Sequence, residues 1–261
     1  MKARNSWQVT LAVWHAIFMR ETIVRVAGER LSWFWMLFEP VALIIIMVGV
    51  RAIVGAHISF NGVEQVPWLV VGLLGFFLFR ENLMRSLGAI DSNRALFAYR
   101  QVKPIDPVLV RFYVEGVLKT FVLLLFILGS LLQGLDLLPD KPMLAMFLWF
   151  SLWMLGVGAG LVVSALSTII QEIGWITRIL SFPLLLISGA IFPISHLPDN
   201  FRQLLMINPI AHGLELLRGA FFDSYRVIPE ADVVYMWFWI LGWVLMGLML
   251  HIRYKYRLAA S

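Results

Sequence analysis

The residues able to do chemistry here are charged groups set inside apolar runs. Glu115 and Lys119 stand four apart, the spacing at which a helix brings a carboxylate and an ammonium onto one face. Ionisable groups at membrane depth are candidates for a substrate path, and mutual neutralisation is the plainer use of such a pair. Glu39 has no opposite charge one helical turn away. Arg80, Arg85 and Arg178 sit at the ends of apolar runs, placed to meet an anionic substrate or to snorkel to phospholipid headgroups. Trp149 and Trp153 have flat apolar faces of the kind that stack on sugar rings. Glu215 and Arg218 follow Asn208-Pro209 and stand three apart, again a helical pairing distance. These groups suit the binding and passage of an anion; no catalytic set is among them.

What the sequence lacks narrows the function further. The dipeptide Gly-Lys never occurs, so there is no GxxxxGK[ST] phosphate loop, and ATP chemistry must come from another subunit. HExxH, GxSxG and EF-hand patterns are absent as well. His15, His57, His196, His212 and His251 have no ligand-like spacing, and no metal site is expected. The absence of cysteine excludes disulfides and thiolate sites.

Composition names the setting for these groups. The 261 residues are 61% hydrophobic and only 14% charged, against about 25% charged in soluble domains. With a mean hydropathy of +0.84, this is an integral membrane protein. The net charge of +5 reads as cytoplasmic anchoring charge rather than a nucleic-acid surface. Arg20, Glu21, Arg25, Glu29 and Arg30 interrupt the first 30 residues, so no cleavable signal peptide is expected.

The elements that must hold the charges follow in order. Residues 1–30 read as a surface helix with Trp7, Leu11, Trp14 and Phe18 on one apolar face, suited to the headgroup plane. Six spans are predicted, at 33–56, 67–89, 108–132, 143–170, 174–192 and 233–252, with Pro183 a candidate kink. Between the second and third lies a basic segment, 91–107, closed by Pro104 and Pro107. It is a candidate docking site for a cytoplasmic partner, with Leu96, Phe97 and Tyr99 available to plug a groove; the plainer reading is a basic loop that fixes topology. Gly156, Gly158, Gly160 and Ser164 form a small-residue stripe suited to close helix packing.

Residues 196–225 are too polar to cross a bilayer and too apolar for a solvated loop. Two amphipathic pieces meet at Asn208-Pro209, where proline removes an amide and restricts the residue before it. That predicts a re-entrant helical hairpin before the last span, serving as the outer gate of a transport path. Placing both termini in the cytosol puts most of the lysines and arginines inside, including Arg80, Arg85, Arg94, Arg100, Lys103 and Arg178. The outside then receives only Arg51, Lys141, Arg202, Arg218 and Arg226, with Lys119 within a span. No duplicated half is evident, so a pathway would be built with a second copy.

Three stretches carry a family resemblance: Phe38-Glu39-Pro40, SNRALFAYRQVKPID at 92–106, and above all INPIAHGLELLRGAFF at 207–222. With them the chain resembles, over essentially its whole length, the transmembrane permease subunit of type 2 ABC exporters, in particular those that export capsule polysaccharide. The family's NP, E and R pattern falls on Asn208, Pro209, Glu215 and Arg218. The resemblance implies one all-α exporter transmembrane domain over 1–261, in a bacterial inner membrane. It implies a homodimer with two ATP-binding cassette subunits that carry ATP and Mg, this chain binding no cofactor itself. It implies a coupling helix around 92–104, with Asn93, Arg94, Leu96, Phe97, Tyr99 and Arg100 toward the ATPase. Cargo would be a lipid-linked acidic polysaccharide, with periplasmic and outer-membrane export proteins as further partners. O-antigen, teichoic acid, a lipid or a drug are the alternative cargoes of such a permease. A membrane-embedded transferase is the competing class, and it would need an acidic metal-binding cluster that no cytoplasmic loop supplies.

Overall fold

The computed structural model describes residues 6–27, 32–54, 62–134 and 137–260. Lys2, Arg4, Glu29, Arg30 and His57, and the outer ends of the expected ranges 1–30 and 33–56, lie outside them. Among the described residues ten α-helices follow in order: α1 Ser6–Ala27, α2 Ser32–Val54, α3 Gln65–Ser86, α4 Ile105–Gln133, α5 Pro142–Ile169, α6 Gln171–Ile187, α7 Asp199–Leu205, α8 Pro209–Phe221, α9 Val233–Arg253 and α10 Lys255–Ala260. Two 3₁₀ segments interrupt the series, Asp91–Ala98 and Ile194–His196, and no strand occurs among the described residues. Helices α3, α4, α5 and α9 are long and apolar enough to cross a membrane. The other two expected crossings are less clear-cut. In α2 the shorter run Phe38–Gly49 is apolar, and α6 has only 17 residues, with Pro183 inside it.

The fold is built around α3, which is apolar on all sides over most of its length and correspondingly buried on all sides. Trp68, Phe76, Phe77 and Phe79 are fully enclosed there by α4, α5 and α8. Helix α5 comes close because it presents no side chains where it touches. A Cβ on Gly156 would lie 2.8 Å from the Phe79 carbonyl oxygen, and one on Gly160 would meet the Phe112 ring. Gly158 and Gly247 do the same for α5 against α9. Polar contacts then fix that pair: Trp237 donates to Ser151 at 3.2 Å, and the His251 ring bonds Ser164 at 3.0 Å.

The outer helices are bare by comparison. On α4, Tyr113, Val117, Phe121, Leu124, Leu128 and Leu131 form an exposed stripe with helical spacing. On α6 only Gly174 and Leu185 are buried, while Trp175, Ile179, Leu180 and Phe182 are exposed. Helix α1 rests on α4 through Val13, Ile17 and Phe18 against Val110, Val114 and Leu118. Its expected apolar face divides: the Phe18 ring lies tilted against Tyr113, 5.7 Å between centroids, while Trp7 and Leu11 remain largely exposed.

Candidate functional site

Two ion-pair clusters lie toward opposite ends of α3, whose 22 residues at 1.5 Å each make a helix about 33 Å long. The first sits where α8 meets the start of α3. Asn208 caps α8 with its side-chain oxygen accepting from the Ile210 amide at 3.1 Å, and Pro209 occupies the first helical position, where its missing N–H costs nothing. This turn joins α7 to α8, at the Asn208-Pro209 break expected from the sequence.

From α8, Glu215 and Arg218 project inward, both 0% exposed, and pair at 3.3 Å. Removing two charges from water is costly unless every remaining lone pair and proton is used. Here most are. The Glu215 carboxylate also accepts from the Tyr225 hydroxyl at 2.8 Å and from the Ile228 amide. Arg218 donates to the carbonyls of Gly189 and Ala190, each at 3.0 Å, and its guanidinium lies over the Trp68 ring, 3.5 Å from the centroid. Arg218 thereby fastens α8 to the turn that ends α6 and to the first turns of α3. Sequence reasoning found the i,i+3 pair; it missed Trp68 and the two carbonyls, which are far away in the chain, and Tyr225, which follows ten residues after Glu215.

Gly72 makes room for that guanidinium. A Cβ at Gly72 would overlap Arg218 Nη2 and lie 2.9 Å from the Ala190 carbonyl oxygen. Gly72→Ala is therefore expected to lower stability by about 1–3 kcal/mol, the usual cost of overpacking. Thermal unfolding in detergent checks this. The loss should shrink in an Arg218→Ala background, because the two substitutions injure the same contact.

The second cluster spans the last turns of α3. Glu39 of α2 accepts from Arg80 at 2.7 Å, and Arg80 also reaches Glu81 at 3.4 Å. Arg85 pairs with Glu81 at 3.6 Å and with Glu115 at 3.4 Å, and Glu115 takes its shortest bond, 2.8 Å, from Arg25 of α1. Ion pairs thus run without a break from α2 through α3 and α4 to α1. One turn back on α1, Glu21 binds Arg111 of α4 at 3.0 Å. Arg111 in turn donates to Ser92 at 2.7 Å, and Asn93 bonds both Arg20 and Glu21. The 3₁₀ segment Asp91–Ala98 is in this way tied to α1 and α4.

Several expectations change here. Glu115 does not pair with Lys119: arginines brought in by α1 and α3 take the carboxylate, and the buried Lys119 ammonium lies over the Phe77 ring at 5.6 Å. Glu39 does have a partner, Arg80, supplied by a neighbouring helix. Arg80 and Arg85 are engaged by carboxylates and so are not free anion receptors, whereas Arg178 is exposed and makes no ion pair among the described residues. Leu96 and Phe97 are half-buried rather than free on the surface. They pack inward, Leu96 on the α1–α4 contact and Phe97 against Ile90, Val108 and Phe112. Asn93 is buried, while Arg94, Tyr99 and Arg100 remain exposed, with Arg94 held by Asp91 at 2.9 Å. Trp149 and Trp153 face α4, donating to Thr120 at 2.9 Å and to the Phe112 carbonyl at 3.1 Å.

The Glu21 carboxyl shows what this wiring does to a charge. Burial alone would raise its pKa, but hydrogen bonding and attraction from Arg111, helped by Asn93 and Arg20, hold it below the ordinary 4.5. A depressed carboxyl contributes stability above its unfolded pKa and loses it as pH falls through the folded value. Acidification below about 4.5 should therefore speed hydrogen exchange in α1 and in 91–98, and Glu21→Gln should flatten that dependence.

Residues 12–222 match the family model described as ABC-2 type transporter. The polysialic acid transport protein KpsM of Escherichia coli is 31% identical over 223 residues, covering 85% of this chain and 86% of that protein. The capsule polysaccharide export inner-membrane protein BexB of Haemophilus influenzae is 26% identical over 95% of this chain and 92% of its own. CtrC of Neisseria meningitidis serogroup B, described in the same words as BexB, is 25% identical over 82% and 81%. The matched region takes in most of α1, the charge cluster on α3 and all of α8 with its buried pair, and this chain belongs to the ABC-2 type transporter family.

Proposed function

We propose that this chain is the membrane-spanning subunit of an ATP-driven exporter that moves a lipid-linked acidic polysaccharide of the capsule class across the inner membrane. The observation that carries this reading is likeness over more than four-fifths of both chains to proteins named for polysialic acid transport or capsule polysaccharide export. It falls on a sequence with no phosphate loop of its own. ATP and Mg then belong to a separate pair of cassette subunits, and this chain holds no cofactor.

In this reading α2 and α6 join the four long helices as spans, giving six, with both termini cytoplasmic by the distribution of lysine and arginine. The segment 91–98 faces the cytosol and α7–α8 form the re-entrant hairpin on the outer side. The bare faces of α2 and α6 are where a second copy completes the path, since a spanning helix with only two buried residues has little holding it within one chain. Periplasmic and outer-membrane export proteins receive the polymer beyond the hairpin. Arg178, exposed on α6, is the arginine best placed to meet anionic cargo.

Tyr99 and Arg100 are the outward groups that dock on the ATPase, while Asn93, Leu96 and Phe97 hold the segment to its own chain. Co-expression with the cassette subunit tests this. The two should co-purify, and Tyr99→Ala with Arg100→Ala should release the ATPase while leaving the permease folded. Reconstitution with glycolipid should give cargo-stimulated ATP turnover and translocation. Its absence overturns the export reading, and exchanging the glycan or its lipid separates capsule polymer from O-antigen or teichoic acid.

A further inference from the structure

A large groove among the described residues belongs to neither charge cluster. Along α1, toward its start from the Ile17 contact, the helix and α4 enclose a cleft of about 1110 Å³. That is slightly above the range of about 300–1,000 Å³ for small-molecule sites. Leu11, Ala12 and Phe18 line it from α1, Leu109, Val110 and Tyr113 from α4, with the Trp153 ring at its back. Polar groups gather at one end. His15 is exposed there, and the Trp14 indole donates to Asp106, two helical turns before Tyr113 on α4.

At the other end the cleft opens into a second groove of about 450 Å³, through the shared Tyr113 and Trp153. Val117, Phe121 and Leu124 line that groove, and they belong to the exposed apolar stripe of α4. Since α4 is long and apolar enough to cross the bilayer, whatever surrounds this stripe reaches the cleft without a barrier. Water is a poor filling away from Gln8 and His15, because it needs two to four polar partners and the rest of the lining is largely apolar. A void would forfeit dispersion contacts along both helices.

We propose that this cleft is a binding site for an acyl chain of a bilayer phospholipid, with the headgroup at the Trp14–Asp106 end and the chain running past Tyr113 and Trp153. Held there, the lipid wedges α1 against the spanning bundle beside the Glu21 and Arg25 ion pairs. The inference rests on α4 being a spanning helix and not on the identity of the cargo.

A phosphatidylglycerol carrying a diazirine on its acyl chain tests it. The full chain with its ATPase is reconstituted with this lipid, exchanged into detergent and only then photolysed, so that loosely held lipid has left. Peptides covering 8–18 and 109–113 should carry the label, and the outward positions Leu128 and Leu131, which line neither groove, should have lost it. Ala12→Phe, which fills the cleft, should abolish labelling of 109–113. Even labelling along α4, or none in the cleft, overturns the proposal, as does displacement of the label by the lipid-linked glycan. The wild-type pattern decides by itself if Ala12→Phe does not fold. Transport is read separately, so failure here leaves the export reading intact.

Discussion

Arg218→Ala is expected to cost about 3–5 kcal/mol, because it leaves the Glu215 carboxylate buried without its counter-charge. The damage extends further, since the Gly189 and Ala190 carbonyls lose their donors and the Trp68 face loses its cation. Arg218→Lys should recover little of this. An ammonium is a point donor and cannot replace a planar fork that serves two carbonyls and a carboxylate while lying flat on an indole. Glu215→Gln in the Arg218→Ala background removes the unpaired charge and keeps an acceptor for Tyr225, so the double variant should be more stable than Arg218→Ala alone. Unfolding in detergent, followed with the permease alone, reads these differences. Equal stability of wild type and Arg218→Ala would mean that α8 is held by its apolar contacts only.

How much of this was legible beforehand depended on distance along the chain. The Asn208-Pro209 break and the Glu215–Arg218 pair are written in adjacent residues, and local rules of capping and i,i+3 spacing suffice for them. The same i,i+4 rule misassigned Glu115, because spacing names the nearest partner on one helix and says nothing of competitors. Arg25 comes from 90 residues away and forms the shorter bond. Glu39 looked unpaired for the same reason, its partner Arg80 being 41 residues off. Leu96 and Phe97 looked like outward plugs because a short amphipathic segment does not reveal which side its own protein covers. The glycine stripe on α5 was read correctly as packing, since small residues spaced along a spanning helix leave few other uses. The likeness to capsule permeases was legible from three motifs, while the wiring of α1 into α3 and α4 was not, because it exists only after the helices meet.

Glu21→Arg is the variant expected to affect export most without touching α7 and α8. It replaces a carboxylate 3.0 Å from Arg111 with a third guanidinium beside Arg20 and Arg111. Two unit charges at about 4 Å in surroundings of effective dielectric about 20 interact by about 4 kcal/mol, so reversing one sign opens a gap of several kcal/mol. The side chains are only 12% and 19% exposed, so screening by salt is limited. α1 must swing away, releasing Asn93 and with it the segment that in our reading meets the ATPase. Transport should fall by at least about tenfold, the effect of 1.4 kcal/mol on a coupling equilibrium, while the purified complex still hydrolyses ATP. Arg111→Glu added to it restores opposite charges across the same gap and should recover transport in part. Recovery of that kind distinguishes a coupling contact from a folding defect, since a misfolded α1 would not be rescued by a charge on α4. If Glu21→Arg transports at the wild-type rate, the ion-pair route from the coupling segment through α1 is not how this permease is driven.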